Sequence, residues 1–155
     1  VAVYGYASHA PTACAELARV VKLLCNQEAA NGRSLVVLGD FNEVLDPYRD
    51  AIPPAIGPVR PPGVLVTDLV HHGFVDATAQ RENPVRWSHT QRLGGGRSTA
   101  SRIDYIFLSG CLHGHLVDAE TVIADAPLNS DHVPLVTRLG YRRGEPLADE
   151  VPEYP

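Results

Sequence analysis

The sequence lacks the marks of several protein classes. It has three cysteines, Cys14, Cys25 and Cys111, an odd number without framework spacing, which argues against a disulfide scaffold. Cys14 and Cys25 fall in one helical pattern, where eleven residues at about 1.5 Å each would set them roughly 16 Å apart, too far to bridge. A reducing, intracellular compartment is the expectation. No apolar run has the length that a bilayer-spanning helix needs. No segment joins a charged start to an apolar middle in the way of a signal peptide. Basic excess is missing too: the formal net charge is −5, so no global field attracts nucleic acid. Methionine is absent even at position 1, where "VAVYGY" already reads as the interior of a strand. The expectation is a fragment whose N-terminal portion lies upstream.

What remains is enough for a folded domain. Apolar residues make up 45% of the 155, which excludes a disordered chain and fits one domain. Residues 1–6 predict a strand. Residues 13–30 predict a helix, with Leu17, Val20, Val21 and Leu24 on one face and Asn31-Gly32 closing it. "SLVVLG" (34–39) is a short continuous apolar run, as in a strand covered on both faces. Residues 47–63 hold six prolines and two glycines and predict a loop inside the domain. Residues 63–74 predict a helix ending at Gly73, with Leu65, Leu69 and Val70 inward and Thr67 and Asp68 outward.

Further on, "RWSHT" (86–90) predicts a short strand and "RLGGGRSTAS" (92–101) a flexible loop. "SRIDYIFLS" (101–109), "HLVDAETVI" (115–123) and "HVPLVTRLG" (132–140) predict strands, and the tail 140–155 is expected to fray. Strand, helix and strand at the start, then closely spaced strands, predict an α/β fold. Its sheet is mixed and mostly antiparallel, with helices packed on it.

Three polar clusters share one placement. Asp40 and Asn42 follow the strand 35–39, Asp104 lies in "SRIDYIFLS", and Asp131 and His132 precede the last strand. Polar groups at one edge of a sheet can converge on one cleft. Carboxylates, an amide and a histidine suit metal-assisted attack on a phosphodiester, because Mg²⁺ takes oxygen ligands and needs only one or two carboxylates. A histidine can move a proton or donate to a phosphate oxygen, and an aspartate behind it fixes its tautomer.

The motifs "LVVLGDFN", "SRIDYIFLS" and "SDHVPLV", in that order, resemble the endonuclease/exonuclease/phosphatase superfamily over about residues 1–139. The superfamily includes abasic-site endonucleases, DNase I, LINE-type retrotransposon endonucleases, inositol-polyphosphate phosphatases and sphingomyelinases. The resemblance implies a DNase I-like four-layer α/β sandwich, here in part, with Mg²⁺ or Mn²⁺ as cofactor and DNA or RNA as substrate. It implies that Asp40 orients or activates the attacking water, that Asn42 bonds a phosphate oxygen, and that Asp131 sits near the metal. His132 would contact the scissile phosphate or act as base, oriented by Asp104. Tyr6 matches the family's active-site tyrosine, although the proline that should follow closely is displaced to Pro11. An asparagine and a metal-binding glutamate that the family carries on earlier strands have no match after Val1. The chain therefore resembles the C-terminal half of the domain, needing an N-terminal half to be active.

Each residue also has a plainer reading. Asp40 and Asn42 are turn formers. Asp104, mid-strand, needs a partner, and Arg102 shares its face by the period of two. Asp131 can cap a turn, and Tyr6 is equally readable as a core tyrosine. Residues 81–102 hold five arginines (81, 86, 92, 97 and 102) against Glu82 alone, with Trp87 among them. Trp87, Arg92, Arg97 and Arg102 are candidate nucleic-acid contacts, by stacking and by phosphate pairing; the alternative is a solvated loop over a core tryptophan. "GGGRST" lacks the lysine and spacing of a P-loop, and His113 and His115 have no further zinc ligand nearby in sequence. The function expected is Mg²⁺-dependent phosphodiester hydrolysis of abasic-site or retroelement type. The alternatives are an inositol-polyphosphate phosphatase and an inactive half-domain.

Overall fold

A computed structural model describes residues 1–5, 11–52, 61–79, 87–92, 94–96, 98–121 and 130–140. Its centre is a four-stranded mixed sheet. β1 (Ala2–Tyr4) pairs parallel to β2 (Val36–Asp40). β2 pairs antiparallel to β6 (Asp104–Leu108), and β6 to the short β3 (Val75–Asp76). The spatial order is β1-β2-β6-β3. The described residues also form two hairpins: β4 (His89–Arg92) with β5 (Ser98–Ser101), and β7 (Leu116–Thr121) with β8 (Leu135–Leu139). The helices are α1 (Pro11–Ala30), α2 (Val64–His71) and the single-turn α3 (Gly110–His113). This is the α/β fold with a mixed, mostly antiparallel sheet that the sequence pattern predicts.

Strand alternation gives the sheet two different faces. On one, Val3, Val37, Tyr105 and Phe107 pack beneath α1 and α2, with Phe41 set edge-on to both rings of β6 at 5.6 Å. On the other, Ile106 and Leu108 form a second core with Ala77, Ala119, Leu116 and Leu135, under the β7–β8 hairpin. Towards β1 this second face opens, and Tyr4 and Leu38 are exposed. Helix, sheet and hairpin thus make the layers of a partial sandwich.

Both long helices stop where the sequence predicts. Gly32 (φ 66) follows α1, and the Arg33 and Gly32 amides return to the Glu28 and Ala29 carbonyls. Gly73 (φ 77) does the same after α2, with the Phe74 amide on the Leu69 carbonyl. Gly63 offers α2 no side-chain cap; instead Glu43 Oε2 accepts from the Leu65 and Val66 amides at 2.9 and 3.1 Å. Among the described residues no helix is long and apolar enough to cross a membrane, and Cys14, Cys25 and Cys111 are free thiols.

Several expectations are corrected. Of the segment 92–101, read as a flexible loop, the described residues are ordered elements: Arg92 ends β4, Gly94–Gly96 form a 3₁₀ turn and Ser98–Ser101 form β5. The strand expected at 86–90 runs from His89 to Arg92 instead. "SRIDYIFLS" is two strands, broken at Arg102 and Ile103, whose side chains both turn inward. The buried stripe of α1 is Ala18, Val21 and Cys25 with Leu17 half-buried, while Val20 and Leu24 are exposed. Val70 of α2 is exposed as well. The tail from 141 onwards, expected to fray, lies outside the described residues.

Candidate active site

The register of β2 and β6 places Asp40 directly opposite Asp104. Both carboxylates project from the face opposite the helices, because the intervening Phe41 and Tyr105 turn into the helix-side core. Gly39 (φ 144) makes the approach of β1 possible: a Cβ there would stand 1.9 Å from the Val3 carbonyl oxygen. The "GDFN" order is therefore a packing requirement as well as a chemical one. Glycine admits the neighbouring strand, phenylalanine anchors the turn, and the two polar residues face the open side.

Asn42 adopts φ 51, a left-handed conformation that asparagine tolerates better than most residues. Its backbone amide donates to Asp40 Oδ1 at 2.8 Å. Its side-chain amide donates to Asp40 Oδ2 at 3.0 Å and to the Gly5 carbonyl at 3.1 Å. Both side-chain N–H groups are thus engaged, and in this state Asn42 orients Asp40. Bonding a phosphate oxygen would require it to exchange one of these partners. Tyr6 lies outside the described residues, next to the Gly5 that Asn42 contacts.

His132 completes the cluster. Its Nδ1 meets Asp104 Oδ2 at 2.9 Å, leaving Nε2 for a ligand or a proton. Burial pushes the Asp104 carboxyl above its usual range, while hydrogen bonds with Ser88 and His132 act against that rise. One ligand-type atom from each of Asp40, Asp104 and His132 lies within 4.8 Å of the others. They line a cavity of about 360 Å³ whose apolar wall includes Leu38, Ile106 and Pro134. The convergence expected of the three motifs is present.

Two further residues belong to this neighbourhood. The buried Ser88 hydroxyl accepts from the Ile103 and Asp104 amides at 3.1 and 3.0 Å, where the chain leaves β5 for β6. His89 Nε2 stands 3.4 Å from Asp131 Oδ2, and its ring lies 4.8 Å from that of His132. Sequence reasoning named neither as a site residue, although both lie in the stretch "RWSHT" that it read as a strand. Asp131 itself is exposed, beside His132.

The substrate-binding expectation fails at Arg102. Its guanidinium is 2% exposed. Nε and Nη2 grip both oxygens of Asp50 at 3.1 and 3.0 Å, and Nη1 meets Asp76 Oδ2 and, at 2.8 Å, Thr78 Oγ1. It also lies over the Tyr105 ring, 4.6 Å from the centroid. Four of its five N–H donors are engaged and its burial keeps it from a phosphate, and the partner is not Asp104, because the break before β6 turns Arg102 to the opposite side. Arg92 is exposed at the end of β4, and Trp87 is half-buried just before Ser88. Arg97 lies outside the described residues.

Residues 2–132 match the family described as Endonuclease/Exonuclease/phosphatase. The chain belongs to that family. Among solved structures it is similar to the 3′-5′ exonuclease NExo from Neisseria meningitidis, with a TM-score of 0.64 at 21% identity. That match covers 84% of this chain and 53% of NExo, so the chain spans about half the length of the structure it resembles. A second NExo structure, described as a 3′ phosphatase bound to product DNA hairpin, gives a TM-score of 0.59 at 21% identity, with the same coverage. These similarities establish the DNase I-like fold. No curated protein matches the chain. The family's three motifs here are the three segments that meet at the cavity.

Proposed function

We propose that this chain carries the phosphate-handling side of a divalent-metal-dependent phosphodiester hydrolase acting on nucleic acid, of abasic-site or retroelement endonuclease type. The observation that carries this reading is the meeting of Asp40, Asp104 and His132 at one end of the sheet, on a cavity. His132, held through Nδ1 by Asp104, presents Nε2 to a phosphate oxygen or to the proton of an attacking water. Asp40, fixed at both oxygens by Asn42, keeps lone pairs for orienting that water.

The carboxylate oxygens of the Asp40, Asp104 and His132 group fit Mg²⁺ or Mn²⁺, which prefer oxygen ligands, and Asp131 is the carboxylate that this reading sets near the ion. When bound, such an ion neutralises phosphoryl charge and lowers the pKa of water. NExo, which shares the fold, is a DNA-processing enzyme by both of its descriptions. Arg92, Arg97 and Trp87 are the proposed contacts to the strand on either side of the scissile bond. We place the remaining metal-binding glutamate and asparagine on a preceding half. The exposed Tyr4 and Leu38, on the open face beside Asp40, support that placement.

The test compares an abasic-site duplex, a plain duplex and an inositol polyphosphate as substrates for the intact polypeptide that carries this chain, in Mg²⁺ or Mn²⁺. The abasic duplex should be cut fastest, and His132→Ala or Asp40→Ala should lower the rate by orders of magnitude. A loss below about tenfold, or about 1.4 kcal/mol, would remove these roles. Faster turnover of the inositol polyphosphate would replace the substrate assignment. The 155 residues alone should nick plasmid DNA little or not at all; strong nicking abolished by His132→Ala would overturn the need for a second half.

A further inference from the structure

We infer that His89, His132 and Asp131 form a binding site for a first-row transition-metal ion, with Zn²⁺ the ion their donors favour. The site differs from an oxygen-ligated Mg²⁺ site in its chemistry, because two of its three donors are imidazole nitrogens. It is built by backbone pairing. The Thr90 amide donates to the Asp131 carbonyl at 2.8 Å, and the Val133 amide to the Ser88 carbonyl at 2.7 Å. Those two bonds flank the bridge between His89 and His132. The histidines are therefore a non-hydrogen-bonded antiparallel pair, the arrangement in which facing Cα atoms come closest, about 4.5 Å, with side chains on one side of the ribbon. The rings accordingly lie 4.8 Å apart, tilted by 53°.

The tautomers suit a metal. His132 Nδ1 is taken by Asp104, and His89 Nδ1 faces the Ser101 hydroxyl at 3.4 Å. Both Nε2 atoms are left as donors, each on a ring steadied from behind, as metal-ligating histidines usually are. His89 Nε2 and Asp131 Oδ2 are 3.4 Å apart. Bonds of about 2.0–2.1 Å to a tetrahedral zinc put neighbouring ligand atoms about 3.3–3.4 Å apart. One ligand-type atom from each of the three residues lies within 4.8 Å of the others, so the three side chains share one neighbourhood. Asp131 is 63% exposed, which leaves an entry path for the ion and room for water at the fourth position. Imidazole donors select Zn²⁺ over Mg²⁺, which is reluctant to dehydrate and prefers oxygen.

The consequence rests on the hydrolase reading, whereas the binding does not. Zinc on His132 Nε2 occupies the atom assigned to phosphate and proton, so zinc would inhibit hydrolysis that Mg²⁺ supports.

The test reads binding directly. The tag-free, metal-stripped intact polypeptide that carries this chain is titrated with Zn²⁺ against a chromophoric chelator in excess Mg²⁺, and Co²⁺ is used as a visible-spectrum probe. One equivalent of Zn²⁺ should bind, with absorption bands for Co²⁺ in the same site. His89→Phe keeps a ring and removes its nitrogens, and should weaken zinc binding at least tenfold and abolish the Co²⁺ bands. His89→Cys, which replaces imidazole by a thiolate ligand, should restore binding. His113→Ala, at the far end of the fold in α3, should change nothing. Failure of the parent chain to bind zinc would overturn the site, and so would binding that survives His89→Phe. If His89→Phe unfolds, the Cys variant decides: folded protein without zinc affinity would also overturn it.

Discussion

Asp104 shows how one residue can serve packing and chemistry together. It is half-buried, and burial raises its pKa, yet it remains the partner of His132 Nδ1. Replacing it by asparagine keeps the volume but removes the charge that holds the imidazole in one tautomer. On the hydrolase reading proposed above, Asp104→Asn should lower kcat of the intact polypeptide by about 10- to 100-fold with little change in KM, measured by steady-state cleavage of the substrate that the parent protein cuts fastest. An unchanged kcat would leave His132 without need of an orienting partner. Residues of this kind were legible in the sequence because their motifs are local. "GDFN" and "RIDY" each put a polar group beside an apolar anchor, "SDH" stands just before the apolar Val133, and strand pairing does the rest. Arg102 was not legible. Its partners Asp50 and Asp76 are 52 and 26 positions away, so an arginine in an arginine-rich stretch read as a surface contact when it is a buried clamp. His89 was missed for the same reason: only the pairing of residues 88–90 with 131–133 brings it to the site.

At the scale of elements, backbone fit decides more than propensity. β1 can lie beside β2 only because position 39 has no side chain. Gly39→Ala should cost about 2–4 kcal/mol, read as a lower urea midpoint, since the obstructing atom is a backbone oxygen of Val3 that cannot rotate away. A neutral result would mean that the strands separate without cost. The start of α2 depends on a residue far from it in sequence. Glu43 Oε2 accepts two of its first amides, and a carboxylate there also opposes the positive end of the helix dipole. Glu43→Ala should destabilise the fold by about 1–2 kcal/mol, and Glu43→Gln by less, in the same urea measurement. Helix ends were readable in advance from Asn31-Gly32 and Gly73. The buried stripe of α1 was not, because large apolar residues at 17, 20, 21 and 24 outweighed the small ones. The sheet accepts Ala18 and Cys25 instead. Small residues let the helix come close, and hydrophobic periodicity underweights them.

At the scale of the whole molecule, a buried ionic junction ties together segments far apart in sequence. Arg102 joins the loop after β2, through Asp50, to the end of β3, through Asp76, and its carbonyl accepts from the Tyr105 hydroxyl at 2.8 Å. The junction sits at the break between β5 and β6, so it fixes how the β4–β5 hairpin, with His89, meets the sheet that carries Asp40 and Asp104. Burial alone would raise the Asp50 carboxyl, but hydrogen bonds from Arg49 and Arg102 and the charge of Arg102 outweigh it and hold the pKa below its usual value. A carboxyl whose pKa is lower in the folded state stabilises that state fully above its unfolded pKa of about 3.9. The contribution then declines as pH falls through the folded value. Removing one partner of a buried pair typically costs about 3–5 kcal/mol. Asp50→Asn should therefore be destabilised by about that amount near neutral pH, and the gap to the parent should narrow progressively below about pH 4. Urea unfolding of both proteins from pH 7 down to pH 3 checks the sign. A gap that stays constant over that range would mean that Asp50 is not ionised in the folded protein, and that Arg102 draws its compensation from Asp76 alone.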